Sequence, residues 1–126
     1  MRAVDTNVLV RLITRDDSSQ VVSAESFIAK GAWVSVLALA ETTWVLTTVY
    51  ELSAKDLAKA IEMLLNHQSL VLQDPDTVAA ALNLFRAKPA LGFSDCLMLQ
   101  LARKAGHLPL GTFDRNLGKV DGTQKL

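Results

Sequence analysis

A chain of 126 residues that is 50% hydrophobic and only 21% charged has the length of one domain and enough apolar side chains to bury a core. Disorder needs low hydrophobicity and high net charge and is excluded; the lone cysteine, Cys96, excludes an internal disulfide and a Cys-rich zinc module. Thirteen basic residues balance thirteen acidic ones, so a nucleic-acid partner would have to be held by a local basic patch.

Ala3-Val4 reads as a short buried strand ending at Asp5, followed by helices from Asn7 to Thr14 and from Asp17 to Lys30. Asp17 with Gln20 three residues on is close to a capping box, and Gly31 closes the helix. Ala32 to Val36 is a strand and Leu37 to Tyr50 a helix. Ser53 with Asp56 caps the next helix, where Leu57, Ile61, Leu64 and Leu65 keep helical spacing. Ser69 to Leu72 is a strand. Asp74-Pro75 then supplies a cap and a first-turn proline to a helix containing Val78, Leu82 and Phe85. After a loop over Pro89 to Gly92 comes a helix from Ser94 to Lys104, stopped by Gly106. Leu108 to Thr112 is a last strand weakened by Pro109 and Gly111, Asp114 to Leu117 one helical turn, and the tail from Lys119 is expected to be loose. Strands alternating with helices predict an α/β fold with a mostly parallel sheet. Met1-Arg2-Ala3-Val4-Asp5 reaches a carboxylate too soon for a signal peptide, and no apolar run approaches about 18 residues, so a soluble, cytoplasmic protein is expected.

Four acids stand in apolar surroundings: Asp5 in Ala-Val-Asp-Thr-Asn-Val-Leu-Val, Glu41 in Leu-Ala-Glu-Thr-Thr-Trp-Val-Leu, Asp95 in Gly-Phe-Ser-Asp-Cys-Leu-Met-Leu, and Asp114 in Gly-Thr-Phe-Asp-Arg. On a helix Glu41 shares a face with Leu37, Trp44, Val45 and Thr48, and Asp95 one with Met98, Leu99 and Ala102. Both carboxylates are therefore expected to point the way the core-facing side chains point. Burying a charged carboxylate costs several kcal/mol unless it is compensated. No Lys or Arg lies within a helical turn of Glu41, which makes a shared divalent cation the cheaper compensation, and hard cations take oxygen ligands. Ligands of parallel α/β sheets collect outside the carboxyl ends of the strands; Asp5 and Asp114 follow the first and last predicted strands, Glu41 lies one helical turn past the second, and Asp95 opens a helix. Such a site suits hydrolysis of phosphate esters. The bland reading of any one of these acids is a helix cap, a neutralised carboxyl or an ion pair. Gly92-Phe93-Ser94-Asp95-Cys96 is not a nucleophile elbow, Cys96 reads as core, and His67 and His107 as surface residues.

The run Asp5-Thr6-Asn7-Val8-Leu9-Val10-Arg11 closely resembles the opening of PIN-domain nucleases. Glu41 before Thr-Thr-Trp-Val-Leu, Phe-Ser-Asp95-Cys-Leu, and Thr112-Phe113-Asp114 follow in that family's order. The chain looks like a VapC-type toxin, the ribonuclease half of a toxin–antitoxin pair. The resemblance implies one PIN domain over residues 1–126: an α/β three-layer fold whose mostly parallel central sheet of four to five short strands is flanked by helices. It implies that Asp5, Glu41, Asp95 and Asp114 bind Mg²⁺ or Mn²⁺, with Asp5 and Asp95 the most direct ligands. Thr6, Asn7, Ser94 and Thr112 would orient carboxylates and water. Implied too are hydrolysis of RNA to 5′-phosphate and 3′-hydroxyl ends, a homodimer and inhibition by a cognate antitoxin. Arg11 and Arg115, nearest the acids, are the candidates for contacting RNA.

Two other classes are open at this point. A phosphatase of the haloacid dehalogenase type also starts from an aspartate after the first strand. It needs a second Asp where Asn7 stands, and a lysine before its last acidic motif, whereas none lies between Lys104 and Asp114. A non-catalytic binding module is the other, with helices Ala40 to Tyr50 and Leu57 to Leu65 offering an apolar surface for a second copy.

Overall fold

The computed structural model describes residues 1–126. The first four helices form where a polar residue can stop the chain and take up an amide that helix geometry leaves without a partner. Strand β1 (Arg2–Ala3) runs into Asp5, the N-cap of α1 (Thr6–Thr14). Asp17 caps α2 (Ser18–Ile28) by accepting from the Gln20 N–H at 3.0 Å. Strand β2 (Ala32–Val34) leads to Ser35, whose Oγ accepts from the Ala38 N–H at the start of α3 (Val36–Thr48), 3.0 Å away. Ser53 caps α4 (Ala54–Asn66) through the Asp56 N–H, and β3 (Leu70–Leu72) follows. Helix α5 (Pro75–Ala87), a 3₁₀ turn at Pro89–Leu91 and α6 (Phe93–Ala105) come next, then β4 (Leu110–Thr112), a 3₁₀ turn at Leu117–Lys119 and β5 (Thr123–Lys125).

The fold is a mixed α/β one, and every strand pairing is parallel. A three-stranded sheet has the order β1-β2-β3, with Ala3 opposite Trp33 and Trp33 opposite Val71; β4 and β5 form a separate two-stranded sheet, with Leu110 opposite Thr123. The chain makes two compact units, Met1–Pro75 and Asp76–Leu126. In the first, α1 packs on α2 and α3, and α4 on α3 and β3. Leu9, Ile28, Val34, Leu39, Leu46, Ile61 and Leu64 fill its core. In the second, Val78, Phe85, Phe93, Cys96 and Leu99 are buried, and Phe85 meets Phe93 edge-on with ring centroids 6.1 Å apart.

The tail does not end loose at Lys119. Thr123 anchors it by donating its hydroxyl to the Leu117 and Val120 carbonyls, and the Leu126 N–H closes on the Thr112 carbonyl. Gly106 ends α6 in the left-handed region at φ +82°, which glycine adopts without penalty. Cys96 is core as expected, and burial pushes its thiol up to about 11. His107 is exposed, but His67 is half-buried and accepts from the Ser69 N–H on Nδ1. No helix is long and apolar enough to cross a membrane.

The start of α3 carries a device that local sequence does not reveal. Besides Ser35, the Gln73 side chain accepts from the Val36 N–H at 2.9 Å, while the Gln73 N–H bonds the Val34 carbonyl. Two of the otherwise unpaired amides of α3 are thus held by residues at the ends of neighbouring strands. Ser35→Ala is expected to lower stability by about 1 kcal/mol, within the usual range for a lost N-cap, read as an earlier urea midpoint with an unchanged slope.

Candidate active site

Asp5 is placed by the passage from β1 into α1. Its Oδ1 accepts the Thr6 N–H at 2.6 Å, and the Thr6 hydroxyl donates to Glu41 Oε2 at 2.8 Å. One threonine therefore ties together two acids 36 positions apart in the chain (5 and 41), one at the head of α1 and the other in the second turn of α3. Both carboxylates are exposed. Asn7 is exposed in the first turn of α1.

In the second unit, Gly92 at φ +80° delivers the chain into α6, so that Ser94 is exposed and Asp95 half-buried in the first turn. Burial, and secondarily the charge of Asp114, raises the Asp95 carboxyl above its ordinary value. Asp114 follows β4. Its N–H donates to Thr112 Oγ1 at 3.0 Å, and its Oδ1 accepts the Leu117 N–H at 2.8 Å, capping the turn that follows. Phe113, between them, is 81% exposed, and Arg115 is exposed beside Asp114.

The acids thus come in two pairs, Asp5 with Glu41 through Thr6 and Asp95 with Asp114 through their mutual field. No three His, Cys, Asp or Glu side chains stand gathered so as to hold a metal ion by themselves. None of the four carboxylates is salt-bridged; the ion pairs of α1 and its flank are Arg11–Asp16 and Arg15–Glu25.

Two expectations change. The face of α3 that carries Glu41 does not point into the core: Leu37 is 68% and Trp44 64% exposed, whereas Ala38, Leu39, Thr42, Thr43 and Leu46 are buried. The two buried threonines are accommodated because their hydroxyls donate to the Ala38 and Ala40 carbonyls. The burial argument for a cation therefore applies to Asp95 alone, since Asp5, Glu41 and Asp114 lie at the surface. What remains general is the absence of a basic partner.

Sequence reasoning also missed what surrounds Arg11. Its Nε donates to Gln20 Oε1, and its Nη1 donates to Asp16 Oδ1 and to the Tyr50 hydroxyl, each at 3.1 Å. Tyr50 in turn donates to Asp16 Oδ2 at 2.8 Å, and Thr14 to Asp16 Oδ1. Hydrogen bonds from Thr14 and Tyr50 hold the Asp16 carboxyl below the usual carboxylate range. This network fastens α1 to α2 and to Tyr50, two residues beyond α3.

A family model, the PIN domain, matches residues 2–123, a span that includes all four acids. The chain belongs to the PIN-domain family. Neither a curated protein nor a solved structure gives a match. PIN domains are generally nucleases, hydrolases of nucleic-acid phosphodiesters, and typically bind divalent metals. In this PIN domain the acid following β1 is also a helix cap and Asp114 caps a turn, so the same carboxylates that the family reading needs have local structural work on one oxygen each.

Proposed function

We propose that this PIN domain is a Mg²⁺- or Mn²⁺-dependent endoribonuclease of the VapC toxin type. It would act on RNA in the cytoplasm, as a homodimer, and be held in check by a cognate antitoxin. The observation that carries the reading is that Asp5, Glu41, Asp95 and Asp114 all lack a basic partner, although Asp95 and Asp114 repel one another. The donor set fits the ion. All four are hard oxygen ligands, and magnesium needs only one or two carboxylates, completing its octahedron with water and substrate phosphate.

Asp5 and Asp95 would be the closest ligands, with Glu41 and Asp114 completing the set. The bound ion supplies a water of lowered pKa and offsets charge on the phosphoryl oxygens. The chain's own contribution is orientation. Thr6 fixes one oxygen of Asp5 and one of Glu41, leaving the other oxygen of each for the cation. Thr112 fixes the loop that carries Asp114. Asn7 and Ser94 are exposed in the first turns of their helices, and would bond water or ribose. Arg115 would meet a phosphate, and Phe113 offers an exposed ring on which a base can stack. The exposed Leu37 and Trp44 on α3 support the homodimer, since a second copy would cover them.

End-labelled single-stranded and structured RNAs incubated with the protein test the proposal. Cleavage with Mg²⁺ or Mn²⁺, stopped by EDTA and restored by added metal, with 5′-phosphate and 3′-hydroxyl ends, is the expected result. A folded protein inert on the whole panel with either metal would overturn it. RNA binding without scission would favour the non-catalytic module, and phosphate release from small monoesters alone would favour the phosphatase. Co-expression with the product of the adjacent upstream reading frame should give a stable complex and relieve toxicity; a chain harmless to the cell by itself counts against the toxin role.

A further inference from the structure

Between α1 and α3 lies a cavity of about 290 Å³, lined among others by Asp5, Asn7, Arg11, Val45, Val49 and Tyr50. It is bracketed by the two hydrogen bonds that cross this seam, Thr6 to Glu41 at one end and Arg11 to Tyr50 at the other. From Asp5 to Arg11 the helix rises about 9 Å, the scale of a single nucleotide unit. One end carries Asp5, and the other combines Val45, Val49 and Tyr50 with the Arg11 guanidinium, which is paired with Asp16. Val45 in the last turn of α3 and Val49 at its C-cap, four residues apart, stand next to one another.

Arg11 gives the cavity a fixed recognition element. Of the five guanidinium N–H donors, the one on Nε and the two on Nη1 are engaged by Gln20, Asp16 and Tyr50. The two on Nη2 have no partner. The planar group is therefore oriented in advance, with donors left for a ligand. Asn7 adds an amide that can both donate and accept, which suits the edge of a base.

We propose that this cavity is a subsite for one nucleotide of a single-stranded RNA. Its base packs on Val45, Val49 and Tyr50 and is read by Asn7 and Arg11. The inference rests on the nuclease reading for its use but not for its test. A segment of protein is the less suited occupant, because the remaining donors call for acceptor edges in a plane.

The test uses the full-length protein with ¹³C-labelled valine methyl groups, titrated with AMP, CMP, GMP and UMP, and with ribose 5-phosphate as the control. At least one of the four nucleotides is expected to shift the Val45 and Val49 methyl signals, and ribose 5-phosphate to leave them in place. Val49 is exposed, so Val49→Trp fills the cavity without disturbing the core. The Val45 shifts should disappear in that variant, and KM for single-stranded RNA should rise about tenfold, the scale of one base–side-chain stack, with kcat little changed. Methyl signals that ignore all four nucleotides, or answer equally to ribose 5-phosphate, would overturn the subsite even in an enzyme that cleaves RNA. Nucleotide-specific shifts in a protein that cleaves no RNA would uphold the subsite and remove the nuclease.

Discussion

Asp95→Asn is expected to abolish RNA cleavage and at the same time to make the protein harder to unfold at neutral pH. Asparagine keeps the shape of the side chain but removes the charge, and with it the attraction that the proposed site would offer a divalent cation. Losing an outer partner of a metal ligand typically costs about 10–100-fold in affinity or activity, so Thr6→Val should lose activity within that range and Asp95→Asn far more. The stability effect follows from the raised carboxyl. Burial and the charge of Asp114 make the ionised form unfavourable in the folded chain, so the folded state binds this proton more tightly than the unfolded state does. The resulting penalty is fully present above the folded value and fades as the pH falls through it toward the unfolded carboxylate's ordinary value. The Asn variant escapes that penalty. Its advantage in thermal unfolding should therefore be present at neutral pH and vanish in acid, and added Mg²⁺ should stabilise the wild type but not the variant. A variant less stable than wild type at neutral pH would show that Asp95 serves the fold. Asp5→Asn should separate the roles differently. Asparagine caps a helix as well as aspartate, so folding stays close to wild type while cleavage is lost.

These contrasts follow the division between what the sequence could express and what it could not. The caps at Asp17 and Ser53, the glycine stop at Gly106 and the order of strands and helices depend on neighbours within a few residues, and they appear where the sequence places them. The acids at the ends of elements were legible for the same reason. Arg11 was not. Its partner Tyr50 lies 39 residues away, and Asp16 looks like any acid in a turn until both meet it. The role of Gln73 at the head of α3 needs the register of two paired strands, Val34 opposite Leu72. Strand β5 has no apolar alternation to announce it; only pairing with β4 makes it a strand. On α3 the residues are apolar nearly all round, so helical spacing identifies which side chains share a face without saying which face is inward.

Leucine to alanine at two places on α3 tests that last point, with the second-largest effect expected here. Leu46 is 1% exposed and Leu37 68%. Leu46→Ala removes buried carbon atoms and leaves a void that the surrounding core fills only in part, so it should cost about 2–5 kcal/mol. Against a typical total stability of about 5–15 kcal/mol, that shifts the urea midpoint far. It should also weaken the Thr6–Glu41 link, because α1 packs on the helix that moves. Leu37→Ala exposes nothing new and should stay within about 0.5 kcal/mol in dilute solution. If a second copy covers the Leu37–Trp44 face, the effect of Leu37→Ala will grow with protein concentration, as the stability of a dimer does, and that of Leu46→Ala will be large at every concentration. Equal losses at both positions in dilute protein would mean that the Glu41 face is buried after all. Glu41 would then be a carboxylate in the core, as its apolar neighbours first imply, with its burial compensated by something other than water.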